Sequence, residues 1–354
     1  MNVISVIGTR PEIIKMSPIF RMERHTVIHT NQHYSHEMDR IFFDDLELPQ
    51  PDYNLNVGSG THAYQTGAIM VGLEKIFIEN KPDVVLAQGD TNSVLATALT
   101  AAKMHINFGH VEAGLRSYDR SMPEEINRVL ADHSGTHLFA PTSESKRNLL
   151  KEGISEERIF VTGNTIVDAV FQNIYIADKK SNIHETLSLE KNDYILMTMH
   201  RPENVDRPAR LKSILSGLEA VRNKLGLPIV FPIHPRTAKM CKEFGYDSLL
   251  SGWKVIQPVG YLDFLKLQQD AKLVVTDSGG LQEESCIMKV PCVTLRDSTE
   301  RPETLEAGSN MLAGADPEKI LECSALMIEK KRNWENPFGD GNAAGRIWKI
   351  IKSI

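Results

Sequence analysis

The chain has 354 residues, of which 41% are hydrophobic and 24% are charged, and its formal net charge is −6. This length exceeds what one hydrophobic core usually holds and suits two domains. The acidic balance argues against a nucleic-acid-binding protein, because such domains are usually basic. An anionic ligand would therefore have to be bound by a few placed cations, not by a general positive field.

The four cysteines all lie in the second half of the chain and form no CxxC pair. This spacing argues against a zinc site and a disulfide framework, and it fits a reducing compartment. The first residues lead directly into a strand, and no segment approaches the roughly 20 apolar residues that span a bilayer. We therefore expect a cytoplasmic protein with no metal site and no membrane partner.

Short β-branched runs alternate with helical periodicity along almost the whole chain. In the first half they predict strands at 3–7, 26–30, 84–87, 107–111, 137–140 and 158–161, with helices near 12–22, 63–79, 93–104, 124–133 and 144–152. In the second half they predict strands at 195–199, 229–233, 255–257, 273–276 and 292–295. Continuous apolar strands separated by helices indicate buried parallel sheets. The prediction is an α/β protein with two Rossmann-like domains, 1–165 and 166–341.

The tripeptide Arg-Pro-Glu occurs at 10–12, 201–203 and 301–303, each time soon after a strand. A Pro in the first turn of a helix marks a sharp strand–helix junction. The Arg before it lies at the carboxyl edge of the sheet, where open α/β folds bind ligands and where Arg can bind a diphosphate through two hydrogen bonds. The alternative is that these arginines are surface residues paired with nearby carboxylates.

The junction after the first strand has features of a phosphate site. Gly8 permits a tight turn, and the following helix N-terminus supplies free N–H groups. Arg10 and Lys15 add two cations, although Lys15 could also be a solvated helix lysine.

The segment 276–284 has a similar pattern. A strand ends, Gly279 and Gly280 let a ligand approach the backbone, and Ser278 can cap the helix or bind an oxygen. Because a carboxylate repels phosphate, Glu284 is predicted to bind ribose hydroxyls. The alternative is an ordinary helix with an Asp/Ser cap.

Three acidic residues follow strands of the first half or open its helices. Asp90 and Glu112 follow two strands that should be adjacent, and Glu124 lies at the start of a helix. Neighbouring carboxylates push their pKa values apart, which suits one as an acid and one as a base. The alternative is an ion-pair network with arginines 116, 120 and 128.

Two histidines, His200 and His234, follow consecutive strands of the second half. A histidine at such a position can donate a hydrogen bond to phosphate or transfer a proton. Most histidines are structural, but two at neighbouring strand ends point to a ligand site.

Taken together, these motifs resemble those of the non-hydrolysing UDP-N-acetylglucosamine 2-epimerases. The match runs nearly end to end through, in order, GTRPEIIKMSP, QGDTNS, HVEAGLR, PEEINR, TGNTIVD, HRPEN, IHPR, DSGGLQEE and RDSTERPE. The resemblance implies a GT-B-like arrangement, with the active site in a cleft between two Rossmann-like domains and the terminal helix 342–354 joined to the first. It also implies a homodimer that needs no added cofactor.

The G-x-G-x-x-A pattern at 58–63 does not close a first βα turn, which argues against nicotinamide binding.

The resemblance also implies roles for individual residues. The positions that match its nucleotide-binding set are Arg10, Lys15, His200, Ser278, Gly279, Gly280, Glu284 and Arg301, with Phe264 at the uracil pocket. His234 is added from its place at a strand end. The positions that match its catalytic set are Asp90, Glu112, Glu124 and His200.

The chain departs from the bacterial pattern at two positions. Pro202 replaces the second arginine of the histidine motif, and Val259 stands where a glutamine is often found. Bacterial members can bind a second UDP-N-acetylglucosamine as an activator near the segment that matches 31–33. Because Pro202 replaces that arginine, the resemblance does not imply this regulation for the chain.

The reaction that the resemblance implies is reversible epimerisation at C-2, by loss of UDP to a bound 2-acetamidoglucal and re-addition of UDP. The product would supply activated N-acetylmannosamine for a surface polysaccharide or glycan. Four alternatives remain open: an epimerase of a modified UDP-sugar of the 2,3-diacetamido uronic acid type, a GT-B glycosyltransferase, a hydrolysing epimerase and a non-catalytic UDP-sugar sensor.

Overall fold

The structure is a computed structural model that describes residues 1–31 and 36–354. These residues form two compact units, one made of 1–172 with 338–354 and the other of 173–337. Within the described residues, the first unit has a parallel sheet of seven strands and the second a parallel sheet of six. The predicted α/β fold with two parallel sheets is therefore confirmed.

Strands and helices alternate through the first unit. They are β1 (Val3–Ile7), α1 (Arg10–Phe20), β2 (Thr26–His29), α2 (His36–Asp45), β3 (Tyr53–Asn54), α3 (His62–Asn80), β4 (Val84–Gln88), α4 (Asn92–Lys103), β5 (Asn107–Val111), α5 (Pro123–Ser134), β6 (His137–Ala140), α6 (Ser143–Lys151) and β7 (Ile159–Val161). The strand order is β3-β2-β1-β4-β5-β6-β7. From β1 the chain adds strands on one side of the sheet, and from β4 it adds them on the other, so a topological switch point lies between β1 and β4. Open parallel sheets bind ligands at such a point.

The second unit repeats this plan after α7 (Thr165–Lys180), a helix that begins in the first unit. Its elements are α8 (Ile183–Leu187), β8 (Ile195–Thr198), α9 (Pro202–Val205), α10 (Pro208–Leu225), β9 (Ile229–Pro232), α11 (Pro235–Glu243), β10 (Lys254–Ile256), α12 (Tyr261–Gln269), β11 (Leu273–Thr276), α13 (Gly279–Ile287), β12 (Cys292–Thr294), α14 (Pro302–Glu306), β13 (Asn310–Leu312) and α15 (Pro317–Ile328). The order β10-β9-β8-β11-β12-β13 puts the switch point between β8 and β11.

The central strands are apolar because both faces of each sheet are covered. All residues of β1, β4 and β11 are buried. In the first unit, Ile4, Val6 and Val85 pack with Leu73 and Phe77 of α3. Each buried methylene contributes about 0.8 kcal/mol, so these strands are held firmly in register. Their polar neighbours lie just beyond the strand ends, where the sequence changes from apolar to Gly, Asp, Glu and His.

The last helix, α16 (Ala343–Ile351), belongs to the first unit. The buried carboxylate of Asp168 accepts hydrogen bonds from the backbone N–H groups of Ala343 (3.1 Å) and Ala344 (3.0 Å). Ile347 and Ile351 are fully buried on the inner face of α16. A distant acidic residue therefore satisfies the helix N-terminus and fixes where the helix packs.

Two strands differ from the sequence-based expectation. The short edge strands β3 and β13 were not predicted, because Tyr53–Asn54 and Asn310–Leu312 lack an apolar run. The sequence predicted a domain division between residues 165 and 166, and in the structure α7 runs through that position. Across residues 1–31 and 36–354, every helix is too short or too polar to cross a membrane.

Candidate active site

The first-unit switch point is held together by Glu12, in the first turn of α1. Its carboxylate accepts hydrogen bonds from the backbone N–H groups of Gly8 (2.6 Å) and Thr9 (2.7 Å) and from the Thr91 hydroxyl (2.6 Å). Burial raises the pKa of Glu12 to about 7, although each of these hydrogen bonds by itself lowers it. Glu12 therefore joins the loop after β1 to the loop after β4.

Glu112 lies directly after β5 and is held by two side chains. Lys15 Nζ lies 2.8 Å and 2.7 Å from the two carboxylate oxygens, and the Gln88 amide donates to Glu112 Oε2 at 2.6 Å. The side chains of Lys15 and Glu112 are only 14% and 4% exposed. The backbone of Glu112 has φ = +71°, an uncommon conformation for a residue other than glycine that often marks a functional position. Lys15 is thus a largely enclosed partner of Glu112, which contradicts the solvated-lysine alternative.

Asp90 lies two residues after the end of β4, and its carboxylate is bound by Arg128 of α5. Arg128 Nη2 is 2.7 Å and Nε is 3.0 Å from Asp90 Oδ2. Because Gln88 pairs with Val111 in the sheet register, Asp90 and Glu112 follow paired positions of adjacent strands. Glu124 lies half-buried in the first turn of α5. Of the three arginines in the ion-pair alternative, Arg128 does contact Asp90.

The second-unit switch point is organised by Asp277, which follows β11 and is fully buried. Its carboxylate accepts hydrogen bonds from the backbone N–H groups of His200 (3.0 Å) and Arg201 (2.9 Å) and from the Asn204 amide (3.1 Å). His200 Nδ1 lies 3.2 Å from the other oxygen. Burial by itself would raise the pKa of Asp277, but the hydrogen bonds from His200, Arg201 and Asn204 outweigh it and hold the pKa below its usual value.

A cavity of about 210 Å³ opens beside this carboxylate. Its lining is Thr198, Met199, His200, Pro232, His234, Pro258, Val259, Phe264, Ser278 and Leu281. The rings of His200 and His234 are 5.6 Å apart. Partial burial and then the neighbouring His200 lower the pKa of His234, which favours a neutral ring. The cavity thus combines an apolar wall with imidazole and hydroxyl groups, a composition that suits a heteroaromatic ligand with polar substituents.

The backbone at the start of α13 is open to a ligand. A Cβ built on Gly279 would come no closer than 3.8 Å to another atom, and one on Gly280 no closer than 4.0 Å. Packing within the unit therefore does not require glycine at either position, whereas close approach of a ligand would. Glu284 is buried one turn further along the helix, and Arg301 Nε lies 2.8 Å from Glu283. Arg10 of the first unit lies over the Phe42 ring, 5.8 Å from its centre.

The sequence predicted no role for Glu12 or Gln88, and it offered Arg128 and Asp277 only within the ion-pair and helix-cap alternatives, although all four organise these loops. Of the first two residues, Glu12 carried a recognisable signal, since Thr9 and Glu12 have the spacing of a capping box. Of the activator segment 31–33, residues 32 and 33 lie outside the described part of the chain. The described residues contain no cluster of three or more His, Cys, Asp or Glu side chains that could hold a metal ion.

Comparisons with known proteins match the whole chain. The family described as UDP-N-acetylglucosamine 2-epimerase matches residues 20–352. The UDP-N-acetylglucosamine 2-epimerase of Methanocaldococcus jannaschii is 55% identical over 99% of both chains. A crystal structure of the M. jannaschii enzyme in complex with UDP-GlcNAc and UDP has a TM-score of 0.87, 55% identity and complete coverage of both chains. The UDP-2,3-diacetamido-2,3-dideoxy-D-glucuronate 2-epimerase of Pseudomonas aeruginosa is 39% identical over the full length of both chains.

The depressed pKa of Asp277 predicts a pH-dependent stability. A carboxyl whose pKa is lower in the folded state stabilises the fold fully above its ordinary pKa, and this stabilisation is lost as the pH falls through the folded value. Asp277→Asn should therefore lower the free energy of unfolding by about 2 kcal/mol at pH 7, with a difference that shrinks below about pH 4. Urea denaturation between pH 3 and pH 7 measures this difference.

Asp316→Asn is the matched control, because Asp316 also accepts two backbone N–H groups but is exposed at the start of α15. Asn caps a helix about as well as Asp, so this variant should behave like the wild type. If Asp277→Asn lowers the free energy of unfolding by the same amount from pH 7 down to pH 3, the prediction is contradicted.

Proposed function

Since the chain belongs to the UDP-N-acetylglucosamine 2-epimerase family, we propose that it interconverts UDP-N-acetylglucosamine and UDP-N-acetylmannosamine. The observation that carries this proposal is the pair of carboxylates, Asp90 and Glu112, at the carboxyl ends of adjacent strands, each beside a cation. Epimerisation at C-2 needs a group that removes a proton from one face of the sugar and a group that delivers one to the other. Two placed carboxylates can perform both tasks.

The C-2 proton is not next to a carbonyl group, so its removal must be coupled to another bond change. In the proposed reaction the C-1–O bond breaks and its electron pair leaves with UDP. The C-2 proton passes to a carboxylate, and a C-1=C-2 double bond forms in 2-acetamidoglucal. In the return step, a diphosphate oxygen attacks C-1 and C-2 receives a proton on the opposite face. Asp90, Glu112 and Glu124 are the proposed groups for these proton transfers.

The proposed nucleotide site lies on the second unit. The uracil ring would pack against Phe264 and Val259 in the 210 Å³ cavity, near His234. The N-terminus of α13, formed by Ser278, Gly279 and Gly280, would bind the diphosphate through backbone N–H groups. His200 would donate a hydrogen bond to the departing UDP, and Arg301 and Arg10 would supply positive charge. Glu284 would bind the ribose hydroxyls.

We further propose that the product supplies N-acetylmannosamine units for the synthesis of a surface polysaccharide or glycan. A modified sugar is the principal alternative substrate, because the P. aeruginosa relative is named for a 2,3-diacetamido uronic acid nucleotide. The higher identity of the M. jannaschii relative favours UDP-N-acetylglucosamine.

The proposed activity predicts deuterium incorporation at C-2. The purified protein, with UDP-N-acetylglucosamine in heavy water and no added cofactor, should give a mixture that contains UDP-N-acetylmannosamine with deuterium at C-2 of both sugars, measured by proton NMR. Glu112→Gln is the control, because it keeps the side-chain size and removes the carboxylate. Epimerisation without deuterium would contradict the proton-transfer route, and an unchanged spectrum would direct the test to 2,3-diacetamido uronic acid nucleotides.

The contact between Lys15 and Glu112 predicts that substitution of Lys15 lowers turnover and leaves the affinity for UDP nearly unchanged. Lys15→Met should lower kcat about 10- to 100-fold, because Glu112 loses the cation that holds it. The dissociation constant for UDP should change less than about threefold, whereas loss of a diphosphate contact would raise it about tenfold or more. Isothermal titration calorimetry measures the affinity for UDP.

Two variants serve as controls for Lys15→Met. Arg10→Ala should weaken UDP binding, and Lys103→Met should change neither quantity, since Lys103 is exposed at the end of α4. A large loss of UDP affinity with Lys15→Met would instead assign Lys15 to the diphosphate, as the sequence resemblance implies.

We also propose that the protein forms a homodimer through α3 and α5 of the first unit. On α3, Tyr64, Val71 and Ile78 recur every seven residues and are each about 60% exposed. Ile126 and Leu130 are exposed on α5, and both helices pack against α4. A contact between two copies would bury these side chains, which otherwise cost free energy in water.

Light scattering after size exclusion should give twice the chain mass of 39.7 kDa for the wild type. Val71→Asp should give a monomer, because it would place a charge in the apolar contact. Leu326→Asp is the control, since Leu326 is a similarly exposed residue on α15 of the other unit. A monomeric wild type, or a dimeric Val71→Asp, would exclude this interface.

A further inference from the structure

His110 of β5 is a buried residue to which the proposed mechanism assigns no role. Its side chain is 1% exposed, and both ring nitrogens lie close to oxygen atoms. Nδ1 is 2.6 Å from Asp132 Oδ1, and Nε2 is 2.8 Å from the carbonyl oxygen of Gly89. The ring also stacks on Phe108. The two oxygens decide which protons the ring must carry.

The Gly89 carbonyl can only accept a hydrogen bond, so Nε2 must carry a proton. On the other side, Asp132 Oδ2 accepts from the backbone N–H of Gly114 (3.1 Å) and lies 2.7 Å from Arg116 Nη1. These donors stabilise an ionised carboxylate. Because imidazole is a stronger base than carboxylate by more than two pKa units, the proton between Asp132 and His110 belongs on Nδ1. Both nitrogens therefore donate, and the ring is an imidazolium.

The charges around the ring support this assignment. Burial lowers the pKa of His110, but the charge of Asp132 and the hydrogen bonds to Asp132 and Gly89 raise it, and the net shift is upward despite the opposing charge of Arg116. Arg116 is itself held by Glu152, with Nε and Nη2 each 2.7 Å from a carboxylate oxygen. The four groups His110, Asp132, Arg116 and Glu152 thus form two cations and two anions of balanced charge. The attraction within such a network offsets the desolvation of its buried charges only when every member is paired.

The hydrogen bond to Gly89 connects this network to Asp90. Gly89 has φ = +90°, a left-handed conformation that glycine adopts readily, and its N–H donates to Val111 at 3.1 Å. The next residue, Asp90, has its carbonyl oxygen bound by Asn127 and its carboxylate by Arg128. The turn that carries Asp90 is therefore held on one side by α5 and on the other by the His110 ring.

We propose that His110 is a permanently protonated positioning residue, which holds the Gly89 carbonyl and thereby fixes the Asp90 carboxylate for proton transfer. The kinetic part of this inference rests on the proposed epimerase activity. The protonation of the ring does not, because it follows from the contacts of His110 alone.

The protonation state can be measured directly on the wild-type protein. With nitrogen-15-labelled histidine, NMR at about pH 8 should show one histidine with both ring nitrogens protonated, while an ordinary histidine is neutral at this pH. The signal is assigned to His110 by its disappearance in a His110 variant. A His110 signal with one bare nitrogen at pH 8 would overturn the proposal.

Two substitutions separate the two contacts of the ring. In His110→Gln the side-chain amide can reach the position of Nε2 and donate to Gly89, whereas in His110→Asn it takes the position of Nδ1 and can donate only toward Asp132. We expect His110→Asn to lower kcat about 10- to 100-fold, with KM for UDP-N-acetylglucosamine changed less than about threefold, because misplacement of a catalytic group affects turnover most. His110→Gln should retain kcat within about fivefold of the wild type.

The thermal unfolding midpoints of the two variants show whether a difference in their kcat values could arise from a difference in stability. Both variants remove the buried cation and should lower the midpoint, so a purely structural role predicts equal activity per folded molecule. Equal kcat values for the two variants, or a kcat for His110→Asn that matches the wild type, would overturn the positioning role. A wild type that fails to epimerise UDP-N-acetylglucosamine would instead contradict the proposed function, and the NMR measurement would still decide the protonation of His110.

Discussion

The structure depends on one topological constraint, which is that a parallel strand can be joined to its neighbour only through a crossover of fixed hand. In each sheet the chain first adds strands in one direction and then returns to the centre to add strands in the other. The loops after the two central strands therefore diverge and leave room at the carboxyl edge. The polar motifs after β1 and β4, and those after β8 and β11, lie at these two places.

The two units fix their diverging loops by the same physical means. In the first, the buried carboxylate of Glu12 accepts backbone N–H groups after β1 and a hydroxyl after β4. In the second, the buried carboxylate of Asp277 accepts backbone N–H groups from the loop after β8. A carboxylate in water would gain little from such contacts, but within a protein interior charge-assisted hydrogen bonds are strong and directional. Each switch point is thereby preorganised before any ligand binds.

The sequence predicted the elements better than it predicted the partners of their side chains. Apolar strands such as β1 and β4 were recognisable because burial on both faces leaves a continuous signature. The edge strands β3 and β13 lack this signature, since each is short and is recognised only by its hydrogen bonds to a single neighbouring strand. The positions of Asp90, Glu112 and His200 followed from the strand ends. The contact between Lys15 and Glu112 joins residues 97 apart, and no local pattern indicates it.

This contact changes how the cations of the chain should be understood. With a net charge of −6, the sequence suggested that a few cations would meet an anionic ligand. In the structure, Lys15 faces Glu112 and Arg128 faces Asp90, so these cations first stabilise carboxylates. The proposed proton transfers place a cation beside each of the two carboxylates that would carry them out. The backbone N–H groups at the N-terminus of α13 are then better suited to a diphosphate, because they carry no charge that a nearby carboxylate can neutralise.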